Sequence, residues 1–209
     1  MELTSLFEAC KDGDTQKIKE ELKNVEDINQ SMKNGSTPLI FAAQHNQFEA
    51  VKTLVEKGAD VNRTNKIGGT ALNRAVQNGN IEMLKYLLDK GTEVGPLALI
   101  VAAREGELEA VKLLIEHGAD INATQHWGQT ALMLAAKEGH STIVRFLIAQ
   151  GADPKVKDKH GRTALTHANE NDHTEVAMLL KRAGASDDKS KNKRSASTTP
   201  IDTDVDDDE

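Results

Sequence analysis

The 209-residue sequence has one cysteine, Cys10, so no disulfide can close within the chain. A lone thiol suits a reducing compartment. Aromatic residues make up only 3% of the chain, so its core must be built from Leu, Val, Ile and Ala, which suits small, closely packed helices. No apolar run approaches the roughly 18 residues needed to span a membrane. The start, Met1-Glu2-Leu3-Thr4, lacks the basic and apolar regions of a signal peptide. These absences point to the cytoplasm and to no membrane partner. The net charge of −7 leaves the average surface repelling a nucleic-acid duplex, so no nucleic-acid partner is expected.

The usual marks of chemistry are missing too. There is no glycine-rich phosphate loop, no H-E-x-x-H, no C-x-x-C and no G-x-S-x-G. One cysteine makes no zinc site without several histidines, and the seven histidines are scattered. His140 and His173 recur at one repeat position, which points to a structural role. His126 and His160 fall in successive loop tips, about 10 Å apart by helix-packing distances, too far to share a metal. The expectation is no catalytic residue, no cofactor and no metal, hence no enzyme.

What the sequence does have is a period. Segments beginning at Thr4, Thr37, Thr70, Leu97, Thr130 and Thr163 align at spacings of 33, 33, 27, 33 and 33 residues. They read TSLFEACKDGD, TPLIFAAQHNQ, TALNRAVQNGN, LALIVAAREGE, TALMLAAKEGH and TALTHANENDH. A second apolar stretch follows, as in EAVKTLVEKGADVN and EAVKLLIEHGADIN. Each unit reads as two short helices. Thr37 can cap the first, with Pro38 at the first helical position, where its missing N–H costs nothing. Val51, Leu54 and Val55 share one face of the second. Gly58 ends that helix in a left-handed conformation. The polar stretch from Ala59 to Gly69 has the composition of an extended hairpin.

The pattern G-x-T-P-L-x-x-A-A followed by G-A-D-V-N resembles the ankyrin repeat, over residues 1–185. The resemblance implies an all-α solenoid of six helix-turn-helix units with β-hairpin fingers, the first and last units acting as caps. Four departures stand out. The histidine usual after T-P-L gives way to Ile40, Asn73, Ile100, Met133 and Thr166. The glycine between the helices becomes Asn46 and Asp172, types that tolerate positive φ. Glu21 and Lys181 replace apolar residues in the end units. The 27-residue spacing removes six residues from one finger, truncating it at 94–95, which reads either as a notch in the rim that uncovers Arg104 and Glu105 or as a tolerated deletion without a role.

From Ser186 the repeat stops. Residues 186–209 carry eight acids and four bases, −4 of the −7, with no apolar face, and are expected to be a disordered charged tail. Its basic cluster, Lys189, Lys191, Lys193 and Arg194, reads either as a solvated tail or as a nuclear import signal, which would add the nucleus as a second location and open an alternative role as a nuclear regulatory protein. Ser197 and Thr199 are candidate phosphate acceptors.

Ankyrin-family proteins mostly bind other proteins through finger tips and the concave face of the inner helices. By register the resemblance implies tips at Lys33-Asn34, Lys66-Ile67, His126-Trp127 and Lys159-His160. It implies inner-helix ends at Gln44-His45, Gln77-Asn78, Arg104-Glu105, Lys137-Glu138 and Glu170-Asn171. These positions vary while the framework repeats. The expected function is a protein–protein interaction module (an adaptor, scaffold or inhibitor), monomeric when free, with an unidentified protein partner. Asn34, Asn62 and Asn122 head N-x-[ST] sequons. Asn62 and Asn122 also resemble asparagines that an oxygen-dependent hydroxylase modifies in ankyrin segments.

Overall fold

The computed structural model describes residues 2–186. Twelve helices run in order: α1 Glu2–Asp12, α2 Thr15–Glu21, α3 Pro38–Gln44, α4 Phe48–Glu56, α5 Ala71–Gln77, α6 Ile81–Asp89, α7 Pro96–Glu105, α8 Leu108–Glu116, α9 Ala131–Lys137, α10 Ser141–Ala149, α11 Ala164–Glu170 and α12 Thr174–Arg182. They pair into six units. The odd-numbered inner helices stack in one continuous row, and each even-numbered outer helix packs against its own inner partner.

The local chemistry repeats with the units. The hydroxyls of Thr37, Thr70, Thr130 and Thr163 accept the N–H of Ile40, Asn73, Met133 and Thr166, capping α3, α5, α9 and α11. Ala42, Ala43, Ala75, Ala102, Ala103, Ala135 and Ala136 are fully buried or nearly so, and let the inner helices approach closely. Leu54, Leu84, Leu114, Leu147 and Leu180, one per outer helix from α4 on, close the other side of the core. Asn46 (φ 58°) and Asp172 (φ 60°) take up the left-handed turn that glycine makes in other units. At the ends, Glu21 is half-buried and accepts a 2.7 Å hydrogen bond from the Ser5 hydroxyl, and Lys181 is exposed.

Side chains latch each unit to the one before it. At the start of α4, Gln47 donates to the carbonyl of Lys11. At the same position Asn80 donates to Asn46 Oδ1, and His140 and His173 bond the carbonyls of Arg104 and Lys137. A second series runs through the loops. Asn29, Asn62 and Asn122 accept the N–H of Asp60, Glu93 and Asp153, each at 2.8 Å.

The connections expected as extended hairpins form no strand among the described residues. Each tip closes as a tight turn instead. Asn65 Oδ1 accepts the N–H of both Ile67 and Gly69, so a side chain makes the bonds that a second pair of ladder residues would have made. Single backbone bonds join successive tips: Lys66 N–H to Asn34 O, and Lys159 N–H to Trp127 O, both 3.0 Å.

The short α6–α7 connection breaks this row. Stacking of α5, α7 and α9 continues through it. The helix after the break gains length, because α7 begins at Pro96 and runs ten residues, where α5 and α9 have seven. Leu97, in register with the capping threonines, lies inside α7. Pro96 can open the helix earlier because its fixed φ is already helical and it has no N–H to satisfy. Gly95 stands where the loop asparagine would be, so it has no side chain with which to accept the next loop's N–H as Asn29, Asn62 and Asn122 do.

Candidate functional site

All twelve residues singled out as contact positions lie on the surface. Lys66, Ile67, His126, Trp127, Lys159 and His160 sit at loop tips, and Gln77, Asn78, Arg104, Glu105, Lys137 and Glu138 at the C-terminal ends of inner helices. The helix ends are partly tied down. Asn78 Nδ2 donates to Ala43 O at 2.8 Å, Arg104 pairs with Glu105, and Lys137 pairs with Glu138 at 3.4 Å. These pairs are between exposed groups, so they are cheap to exchange for a partner's charges.

The tips carry the unusual feature. Ile67 is 81% exposed and Trp127 is 55% exposed, the two most exposed large apolar side chains among the described residues. The rings beside that of Trp127 are histidines: His126 edge-on at 5.2 Å between centroids, and His160 at 6.2 Å and 30°. The turn beneath it has the same backbone bonds as its counterparts but a different side-chain brace. At the position of Asn65 and Asp158 stands Gln125, whose side-chain amide bonds Gln129 Oε1 and, among the described residues, none of the turn's N–H groups.

Between these tips lies a notch of about 530 Å3, where the missing loop would have been. Ile67 and His126 form its two sides, Pro96 and Leu97 part of its floor, and Asn73 and Glu93 are among its polar groups, with threonines and amides around them. Arg104 and Glu105, expected to be uncovered by the truncation, do not line it. They occupy the far end of α7, about 1.5 Å per residue from Pro96, so more than two helical turns away.

A second cluster was legible only in retrospect. Asp158 is buried at the base of the α10–α11 turn and accepts the N–H of His160 and Arg162 at 2.9 Å. Its other oxygen meets Arg162 Nε at 3.0 Å and His167 Nε2 at 3.2 Å. Burial pushes the Asp158 carboxyl up, but the two N–H donors and the Arg162 guanidinium outweigh it and bring it from 3.8 to about 2. Burial holds His167 below its usual 6.5, and the Arg162 charge adds to this against the Asp158 hydrogen bond. The signal was the spacing of Asp158, Arg162 and His167 around one turn. The cluster braces the loop that presents Lys159 and His160. It is closed over by its own partners and leaves no room for a substrate.

Among the described residues no three His, Cys, Asp or Glu side chains gather as metal ligands would, and no helix is long and apolar enough to cross a membrane. Asn62 and Asn122 are exposed, with their side-chain oxygens engaged by the next loop. Ser197, Thr199, the basic cluster and the expected disorder of the tail fall outside the described residues.

Comparison with known proteins agrees with this architecture. A family model of ankyrin repeats, in three copies, matches residues 6–98 and 99–193. Among solved structures, an ankyrin repeat domain (ABAYE2397) from Acinetobacter baumannii AYE is 33% identical with a TM-score of 0.75, over 87% of this chain and 98% of that one. The ankyrin repeat protein EF0377 is 36% identical with a TM-score of 0.73, over 87% and 98%. A chain of the complex between the predatory endopeptidase Bd0816 from Bdellovibrio bacteriovorus and the immunity protein Bd3460 is 31% identical with a TM-score of 0.76, over 85% and 97%. No curated protein matches the chain in sequence.

Proposed function

The chain belongs to the ankyrin-repeat family, whose repeats are in general protein-interaction modules, and from that premise we propose that it is an adaptor or inhibitor that holds one partner protein across its loop tips and the exposed ends of its inner helices. The surface comprises Lys66, Ile67, Gln77, Asn78, Arg104, Glu105, His126, Trp127, Lys137, Glu138, Lys159 and His160. One observation carries the reading. Ile67 and Trp127 are large apolar side chains held in solvent on a rigid stack whose core needs neither of them. Interfaces concentrate their energy in such residues, Trp above all. The similarity to a chain from a complex of a peptidase with its immunity protein favours the inhibitor form, in which the partner is an enzyme.

The test is capture of partners from lysate of the source cells with the tagged wild-type chain, beside Ile67→Ser and Trp127→Ala. A protein retained by the wild type and weakened about 30-fold by Trp127→Ala, roughly 2 kcal/mol, supports the reading. Capture unaffected by either substitution refutes it.

A further inference from the structure

The inner-helix position after T-P-L, T-A-L or L-A-L is apolar and buried in three units, with Ile40, Ile100 and Met133 no more than 3% exposed. In the third unit it is Asn73, equally hidden at 6% exposed. Its Nδ2 donates only a long 3.4 Å bond to Gly68 O, and Oδ1 accepts no bond among the described residues. The Gly68 contact fixes which way the amide points, because flipping it would set two oxygens against each other. The oxygen is not sealed in the core: the fully buried side-chain polar atoms left unpaired among the described residues are Arg74 Nε and Tyr86 Oη, so Asn73 Oδ1 opens onto the space beside it. Asn73 is also the one member of this series that lines the notch.

The other walls define what such an acceptor would meet. Ile67, Pro96 and Leu97 are apolar. Glu93 is the single carboxylate among the lining residues, is exposed, and forms no ion pair among the described residues; no Lys or Arg lines the notch. Its backbone is held by Asn62, which keeps the short loop open. The volume, about 530 Å3, lies within the ~300–1,000 Å3 of ordinary ligand pockets.

We propose that this notch is a receptor for a polypeptide segment of the partner, which inserts one apolar side chain against Ile67, Pro96 and Leu97, donates a main-chain N–H to Asn73 Oδ1, and sets an adjacent lysine or arginine against Glu93. The proposal rests on the protein-binding reading and narrows it to one subsite. Deletion of the loop made the space, and the asparagine gives it specificity: a segment that fails to supply the donor leaves the same atom unpaired.

The probe is a phage-displayed library of random linear peptides, panned on the full chain and counter-selected on a chain with six finger residues restored after Val94. Peptides that pair a basic with an apolar residue are expected. The synthetic consensus peptide should lose at least about tenfold in affinity on Asn73→Ile and on Glu93→Lys, and less than about threefold on Trp127→Ala. Asn73→Ile should leave the unfolding midpoint no lower than that of the wild type, since Ile40, Ile100 and Met133 fill the same position in other units. Three results overturn the proposal: no enrichment over the restored chain, peptides of another character, or affinity unchanged in both point variants. Peptides that ignore the notch but need Trp127 would leave the protein-binding reading standing while removing this subsite. Loss of partner capture on Trp127→Ala bears on that reading alone, because Trp127 does not line the notch.

Discussion

Nε2 of His140 lies 2.9 Å from the carbonyl oxygen of Arg104, across the boundary between the fourth and fifth units. That carbonyl is one of the last four of α7, which have no partner inside the helix. The outer helix of one unit therefore caps the inner helix of the unit before it. Gln47 does the same for Lys11, and His173 for Lys137. The imidazole can reach only because it passes over Gly106, where an added Cβ would come within 2.8 Å of His140 Cε1.

Gly106→Ala should therefore destabilise the chain more than Gly118→Ala. Both glycines are left-handed, at φ 83° and 87°, so both substitutions cost about 1–2 kcal/mol of backbone strain. Around Gly118 the space is open. Gly106→Ala also displaces the ring and loses a bond worth about 0.5–1.5 kcal/mol. Urea denaturation of the two variants measures the difference. Equal losses would show that the His140 bond adds nothing to stability.

Stability should fall in two stages on acidification. The folded state holds His167 below 6.5, so the unfolded chain takes up that proton first, and stability drops as pH falls below 6.5. Asp158 is held down from 3.8 to about 2, so its contribution is full above 3.8 and is lost as pH falls from there toward 2. The second stage is on the order of 2 kcal/mol. His167→Asn should flatten the first stage and Asp158→Asn the second. Asparagine is tolerated there by precedent, since Asn65 makes the same turn. Melting temperature against pH checks both, and an unaltered profile in either variant rejects that assignment.

How much of this was legible depends on what repeats. The period, the capping threonines, Asn46 and Asp172, and the missing loop all recur or break against five other copies, and local chemistry decides them. The notch chemistry did not show in the same way. Asn73 stood out in the sequence as a departure from a usual histidine, but whether its oxygen finds a partner is decided by packing around α5, which the spacing of residues does not give. Arg104 and Glu105 were placed near the notch by register alone. Register orders positions along a helix but does not say which end faces a gap. The tips were expected as hairpins because their composition suits either form. The side-chain bonds of Asn65 and Asp158 add to a single backbone bond across each tip, Asn65 N–H to Gly69 O and Asp158 N–H to Arg162 O, and no longer ladder forms.

Cys10 should be inert in the folded chain. It is fully buried in α1, and burial pushes its thiol up to about 12. At pH 8 almost no thiolate forms, and the sulfur has no path to a reagent. Labelling with a disulfide reagent should proceed at the rate at which the first unit opens, and accelerate with urea. Fast labelling in native buffer would show that α1 detaches from α3.

Gly95→Ser should stabilise the chain by about 0.5–1 kcal/mol. Gly95 is the N-cap of α7, with φ −75° and ψ 165°, and it caps nothing with a side chain, whereas α3, α5, α9 and α11 each have a threonine hydroxyl. A Cβ there meets nothing within 4 Å, and the conformation is open to any residue. Serine would supply an acceptor for a free N–H of the first turn, worth a few tenths of a kcal/mol over glycine. It would also reduce the freedom of the unfolded chain, worth about 0.4–1 kcal/mol. Gly95→Ala separates the two, since it keeps the second gain but sets against it alanine's poor fit at an N-cap, which costs about as much. The serine variant is expected to have the highest denaturation midpoint, with alanine close to wild type. A serine variant no more stable than wild type would mean that the α7 entrance is held in some geometry other than that of an ordinary N-cap.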